Sequence, residues 1–228
     1  MSYRLQGNSR AFFSLFSAAL FVALFLFAAD GMAFSQTKDI SLVKPSDNWG
    51  SDLGSALYAR KSSRAFSEKK IGTDELTKIF WAAAGINREN GKRTSPVPRG
   101  FNFIKMYYLS REGNYRYEAS ASALVHVSDE MIIEKVSPQP WIASTSAIIV
   151  YVAELNEYKH DTPKDDKLKM AYVTSGCMAQ NVYLAVASMK MGACIVFGFT
   201  PDVLKTALSL KEDEVPLFIQ PFGFLEKF

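Results

Sequence analysis

"LKMAYVTSGCMAQNVYLAVASMKM", residues 168–191, is the stretch on which the fold turns. From Met170 onward its apolar side chains do not keep to one helical stripe. A helix that is apolar nearly all round has to be covered nearly all round. In a chain of 228 residues a second copy of the same helix can supply that cover, so a homodimer packed on this element is expected. Gly176 and Ala179 would let another backbone, or a flat ligand, come close.

The neighbouring segments supply the sheet and the shorter helices. Downstream, "ACIVFGF" (193–199) reads as a buried strand, "PDVLKTALSL" (201–210) as a short helix with Pro201 in its first turn, and "VPLFIQPFGFL" (215–225) as a closing strand. Upstream, "SAIIVYVA" (146–153) is an unbroken apolar run, the mark of a central strand covered on both faces. "FIKMYYLSREGNYRYE" (103–118) reads as two strands about a turn at residues 112–114. Leu76, Ile79, Phe80 and Ala83 repeat at helical spacing behind Thr73 as a cap, Asp74 and Glu75 suit the helix N-terminus, and Gly85 is its stop. "SDLGSALYARK" (51–61) reads as a shorter helix with Ser51 as cap, behind a polar, extended lead-in over residues 36–50. Helices and strands mix without a βαβ repeat and without a GxGxxG, which predicts an α+β fold.

Composition sets the outer limits. With 48% apolar, 13% aromatic and 21% charged residues, the chain has material for one core. Residues 1–35 have a signal-peptide layout: Arg4 and Arg10, an apolar run over 11–29, then small residues at Ala33 and Ser35. The run is nearly long enough to span a bilayer, so an uncleaved anchor is the alternative. Either way residues 36–228 are expected to form a single exported domain, periplasmic or anchored facing outward. The net charge of +3, without a long basic run, argues against a nucleic-acid partner. Two histidines, His126 and His160, and no CxxC or HExxH leave no metal site in view. Cys177 and Cys194 read as buried thiols, with pairing in an oxidising compartment as the alternative.

The chemistry is sparse. "ARKSSR" (59–64) gathers Arg60, Lys61 and Arg64 around two serines where the first helix breaks. Guanidinium forks, an ammonium and the Ser62 hydroxyl suit a phosphate, although such a cluster taken alone reads more readily as a solvated basic turn. "NRENGKRTSPVPRG" (87–100) is a long, turn-rich loop of the kind that often carries function. No nucleophile has a base beside it, so no catalytic side chain is proposed. An enzyme built this way would use a cofactor to carry the reaction.

Several stretches resemble the FMN-dependent nitroreductases, in particular an exported subgroup. "RKSSRAFSEKKIGTDELTKIFWAAAGINRENGKRTSP" (60–96) is similar to that family's arginine-rich turn followed by a helix ending in WAA-x-G. "EGNYRYEASASALVHV" (112–127) looks like its hairpin, "GCMAQNVYLAVASMKMG" (176–192) like its dimer-core helix, and "VFGF" (196–199) like the strand after it. The resemblance implies a mixed, mainly antiparallel sheet flanked by helices, a homodimer, and FMN at the interface. Arg60, Lys61 and Ser62 would then contact the flavin's phosphate, ribityl chain or uracil edge, supported by Arg64. A cation near the ring's N1 and O2 atoms would stabilise the anionic reduced form. The backbone of Val196, Phe197 and Gly198 would lie along the N5 side, and Lys227 is the one C-terminal candidate for the phosphate. Gln180 and Asn181 read as helix-packing and interface residues.

The chain also departs from the family pattern. After "RTSP" the family carries Ser, Asn and Gln toward the flavin, where this chain has Val97, Gly100 and Asn102, with Arg99 as a possible substitute contact. Two lost hydrogen bonds of roughly 1 kcal/mol each would weaken FMN by about one to two orders of magnitude. The resemblance implies two-electron reduction of small acceptors such as nitroaromatics or quinones, with an unknown donor, since nicotinamides are not expected outside the cytoplasm. A flavin-binding or flavin-less protein that kept the fold is the alternative, and oxidation of a peptide-derived ring is a third reading.

Overall fold

The computed structural model describes residues 38–226, which fall in one compact unit beginning at Lys38. The signal or anchor segment and Lys227 lie outside the described residues. Seven strands form one sheet: β1 (Ile40–Ser41), β2 (Ile104–Ser110), β3 (Gly113–Glu118), β4 (Ala123–Ser128), β5 (Ala147–Glu154), β6 (Met191–Ala193) and β7 (Glu214–Phe224). Their order is β1-β4-β3-β2-β5-β7-β6, with every neighbouring pair antiparallel. The α-helices are α1 (Leu53–Ala59), α2 (Thr73–Ala84), α3 (Pro140–Ala143), α4 (Lys164–Ser188) and α5 (Pro201–Ala207). The fold is the expected α+β arrangement.

β5 divides the core. Its side chains alternate with period two. Ile148, Val150 and Val152 join a cluster with Ile132, Val136, Ile142 and Leu204. Ile149, Tyr151 and Ala153 join the opposite one with Leu76, Ile79 and Phe80 of α2 and Met178, Ala179 and Val182 of α4. Both faces are covered, as the unbroken apolar run requires. Cys177 and Cys194 are free thiols, with Cys194 buried in the first of these clusters.

α4 starts at Lys164, four residues before the apolar pattern, with Asp165 and Asp166 in its first turn against the helix dipole. It ends at Ser188, because Lys190 turns left-handed and the chain enters β6 at Met191. Ala171, Thr174, Ser175, Met178, Ala179, Val182, Tyr183 and Val186 form its buried face. Within one chain the other face stays open, with Tyr172 43% and Val173 69% exposed. Gln220, sealed inside the sheet, fixes the helix: its Nε2 donates to the Ala179 carbonyl at 3.1 Å, and its Oε1 accepts from the Tyr151 hydroxyl at 2.6 Å.

Local expectations need correction at several ends. α1 is capped by Asp52, whose Oδ1 accepts the Ser55 N–H at 3.0 Å, and not by Ser51. α2 begins at Thr73 itself; Glu75 Oε2 reaches back to the Gly72 N–H at 2.9 Å, which leaves Thr73 no capping role. "ACIVFGF" is not a continuous strand: β6 ends at Ala193, Val196 makes an isolated bridge to Ile219, and Phe197 is 64% exposed. The short α3, which carries Pro140 in its first turn, was not legible in the pattern.

Across β2, β5 and β7, Lys105 Nζ donates to Glu154 at 2.7 Å and to Glu214 at 2.6 Å. Burial pushes the Glu214 carboxyl up, but Lys105 and the Lys211 N–H outweigh it and hold the group below its ordinary value. A carboxyl held low in the folded state adds stability above its unfolded value of about 4.5, and that stability is lost as pH falls through the lowered folded value. The wild-type urea midpoint is expected to decline with acidification over that range, and Glu214→Gln to show a smaller decline. Phe80 is fully buried and meets Tyr108 edge-on at 5.9 Å. Phe80→Ala is expected to cost about 3–5 kcal/mol in chemical unfolding.

Candidate active site

The basic turn is not free in solvent. Past α1 the chain lies beside β6: Ser62 bridges Ala193 in parallel, and the Ser63 N–H donates to the Ala193 carbonyl at 2.9 Å. The Ser67 N–H then donates to Phe224 at 2.8 Å, which ties the segment to β7. Gly192 makes this approach possible, since a Cβ there would sit 2.7 Å from the Ser63 Cβ and 2.6 Å from the Leu225 side chain.

Tyr183 of α4 organises the turn, although nothing in the sequence marked it out. Its hydroxyl accepts the Ile195 N–H at 2.7 Å and lies 3.4 Å from the Ser62 Oγ. The Arg60 guanidinium stands over its ring, 5.4 Å from the centroid. Lys61 lines a cavity of about 350 Å³ with Tyr58, Tyr183, Gly192 and Leu225. Arg64 is exposed farther along. Among the described residues, Arg60, Lys61 and Arg64 make no ion pair with a carboxylate. Three unpaired cations on a pinned segment beside a cavity suit an anion better than a loose turn would.

The second group lies just past β6. Val196 exchanges two backbone hydrogen bonds with Ile219, at 2.8 and 3.1 Å, and is buried. Phe197 and Gly198 then leave the sheet into solvent. Among the described residues their two amide N–H groups have no partner, whereas the N–H groups of Cys194, Ile195, Val196, Phe199 and Thr200 are all engaged. The exposed Phe197 ring touches Tyr172 at 6.3 Å and Phe218 at 5.5 Å between centroids.

The third group does not join the basic turn within one chain, although its cleft reaches Val173, next to the Tyr172 that meets Phe197. Ser95 donates to the Ala83 carbonyl at 2.5 Å, and Asn181 Nδ2 reaches Ala82 at 2.9 Å and Ser95 at 3.0 Å, so the "RTSP" stretch is bolted to α2. Asn181 is thus a packing residue, while Gln180 makes no packing contact of this kind and is exposed within one chain. Pro96, Val97 and Pro98 line a cleft of about 330 Å³ against Met170, Val173 and Thr174. Val173 lies ten residues before Tyr183 on α4, or about 15 Å along the helix. Arg99 is left-handed at φ 51° and Gly100 at φ 81°, so the glycine at this departure from the family pattern suits its backbone. The Arg99 guanidinium meets the His160 ring and no other candidate residue. Asn102 is exposed at the start of β2, where Ile104 pairs with Ala153. Ala193, beside Ser62, aligns through Phe222 with Ala147 at the other end of β5, about 20 Å away.

Similarity to known proteins is consistent along the chain. The Nitroreductase family model matches residues 57–224. A nitroreductase-family protein of Methanocaldococcus jannaschii is 27% identical over 183 residues, covering 75% of this chain and 90% of that protein. A nitroreductase-family crystal structure from Ralstonia eutropha JMP134 superposes with a TM-score of 0.79 at 29% identity, covering 85% of this chain and 92% of that one. Another from Anabaena variabilis ATCC 29413 shares the fold at 21% identity with a TM-score of 0.69, covering 86% of this chain and 43% of that one. The antiparallel sheet, the long α4 and the match over most of the chain agree: this is an oxidoreductase-type chain that belongs to the nitroreductase family.

Proposed function

We propose that the protein is an exported, FMN-dependent oxidoreductase that reduces small planar acceptors, quinones or nitroaromatics, by two electrons. The observation that carries this reading is the pairing of an unneutralised cationic turn with two unpaired backbone donors on the same edge of the sheet. Ser62 abuts Ala193, and Phe197 lies four residues further on, at most about 14 Å along the chain. A phosphate at one end and a polar ring edge at the other, joined by a flexible chain, would match that spacing. The residues present therefore fit FMN.

In this reading Arg60, Lys61 and Ser62 hold the phosphate, ribityl chain or uracil edge, with Arg64 adding positive potential from solvent. The Phe197 and Gly198 amides donate to the N5 side of the ring. The chemistry supplied by bound FMN is alternation between an oxidised and a two-electron-reduced form. At the rim of the subunit interface described next, Phe197 and Tyr172 would offer aromatic faces to a planar acceptor.

The same reading makes the protein a homodimer. Tyr172, Val173 and Phe197 form an exposed apolar surface, and α1 adds Leu53, Leu57 and the 96% exposed Tyr58. A second copy laid on α4 would cover this surface and bring its Val97–Asn102 loop toward the cradle that its own chain keeps far away. One observation favours the flavin-less alternative: Val97 packs toward α4 and offers no hydrogen bond in place of the lost polar group.

The purified protein is expected to keep the visible flavin spectrum after free FMN is removed, at one FMN per subunit. A colourless protein that stays colourless would reject the reading. Lys61→Ala is expected to weaken FMN about 10- to 100-fold, as loss of a charge-assisted contact does, with a shallower salt dependence of binding than the wild type. Val173→Asp is expected to yield monomers by light scattering and to lose FMN in the same step.

A further inference from the structure

Residues 136–141 contain nothing that sequence reasoning singled out, yet they grip the segment that carries the two free amides. Ser137 Oγ donates to the Gly198 carbonyl at 2.5 Å, and the Thr200 N–H donates to the Val136 carbonyl at 2.8 Å. Ser137 Oγ in turn accepts the Gln139 N–H at 3.2 Å. With Val196 held to Ile219 by two backbone hydrogen bonds, the segment is fixed at both ends, and the unpaired Phe197 and Gly198 amides lie between the fixed points.

Gln139 completes the grip. Trp141 Nε1 can only donate, and it does so to Gln139 Oε1 at 2.9 Å, which places the Nε2 on the other side of the carboxamide. A Cβ on residue 198 would come within 2.9 Å of that Nε2, so Gly198 packs directly on the amide. The Trp141 ring lies 6.4 Å from Phe66, two residues beyond Arg64. One buttress thus supports both the donor segment and the chain leading out of the basic turn.

We propose that Ser137 and Gln139 are positioning residues: by holding the Gly198 carbonyl and packing on its Cα they keep the preceding Phe197 and Gly198 amides aimed at the flavin edge and so tune its reduction potential. This rests on the FMN reading above. The physical reason is an asymmetry in the ligand. Ring N5 accepts a hydrogen bond when oxidised and carries a hydrogen itself when reduced, so an aimed N–H stabilises the oxidised form more. Loosening the segment should therefore weaken oxidised FMN more than reduced FMN and raise the midpoint potential. General destabilisation would weaken both forms alike and leave the potential where it was.

The test compares the full-length wild type, Ser137→Ala and Ser137→Thr, each loaded with FMN, by spectroscopic redox titration and by FMN affinity in both oxidation states. Ser137→Ala is expected to shift the ratio of oxidised to reduced dissociation constants about tenfold, a rise of about 30 mV in midpoint potential for a two-electron couple. Ser137→Thr, which keeps the hydroxyl, is expected to return most of the shift. Amide exchange at Thr200 should quicken in Ser137→Ala while the core amides stay protected, which separates local loosening from unfolding. A flavin-loaded Ser137→Ala with unchanged potential overturns this proposal alone. A wild-type protein that takes up no FMN overturns the flavin reading and this proposal with it.

Discussion

The hydrogen bond from Gln220 to the Ala179 carbonyl fixes α4 on the sheet, and with it the tyrosine around which the cationic turn is built. It is made in full burial, with the other end of the amide held by the Tyr151 hydroxyl, so neither partner has water as an alternative. Leaving such a group unpaired costs about 1–3 kcal/mol, which discourages α4 from sliding on the sheet. With α4 anchored there, Tyr183 comes up one turn later beneath the Ile195 amide and the Ser62 hydroxyl. The cationic turn and the Val196–Gly198 segment are therefore both referenced to one helix.

Most of the architecture was legible because it rests on burial, which leaves a mark on the pattern. The run over residues 146–153 announced a strand covered on both faces, and β5 is that strand. Leu76, Ile79, Phe80 and Ala83 announced the inner face of α2. Ends were less legible because they depend on single hydrogen bonds: Asp52 rather than Ser51 closes α1, and Glu75 rather than Thr73 serves α2. The stretch 193–199 misled for a different reason. Its apolar residues are there partly for an exposed surface, so Phe197 carries the composition of a strand without its burial.

At the site, charge was legible and geometry was not. Arg60, Lys61 and Arg64 stood out by type, but only the three-dimensional arrangement pairs them with Tyr183, which on a helix apolar all round looked like one more core residue. Ser137, Gln139 and Trp141 act through backbone and carboxamide contacts that leave no spacing signature. Asn102 shows the opposite limit: the match to a motif placed it near the cofactor, and the strand register puts it at the far end of β5 from Ser62. In the dimer proposed above, a second copy would supply what this separation keeps out of reach.

The proposed sharing of the site can be tested by subunit complementation. Lys61→Ala damages the cradle, and Asn102→Asp, at an exposed position, damages the loop expected to reach across. Differently tagged chains of the two variants, co-expressed and purified as mixed dimers, would hold one undamaged site and one doubly damaged site if each FMN is bound by both subunits. One tightly held FMN is expected per mixed dimer and none in either parent dimer. Mixed dimers with no tight site, or an Asn102→Asp homodimer that binds FMN as the wild type does, would contradict a site shared between subunits.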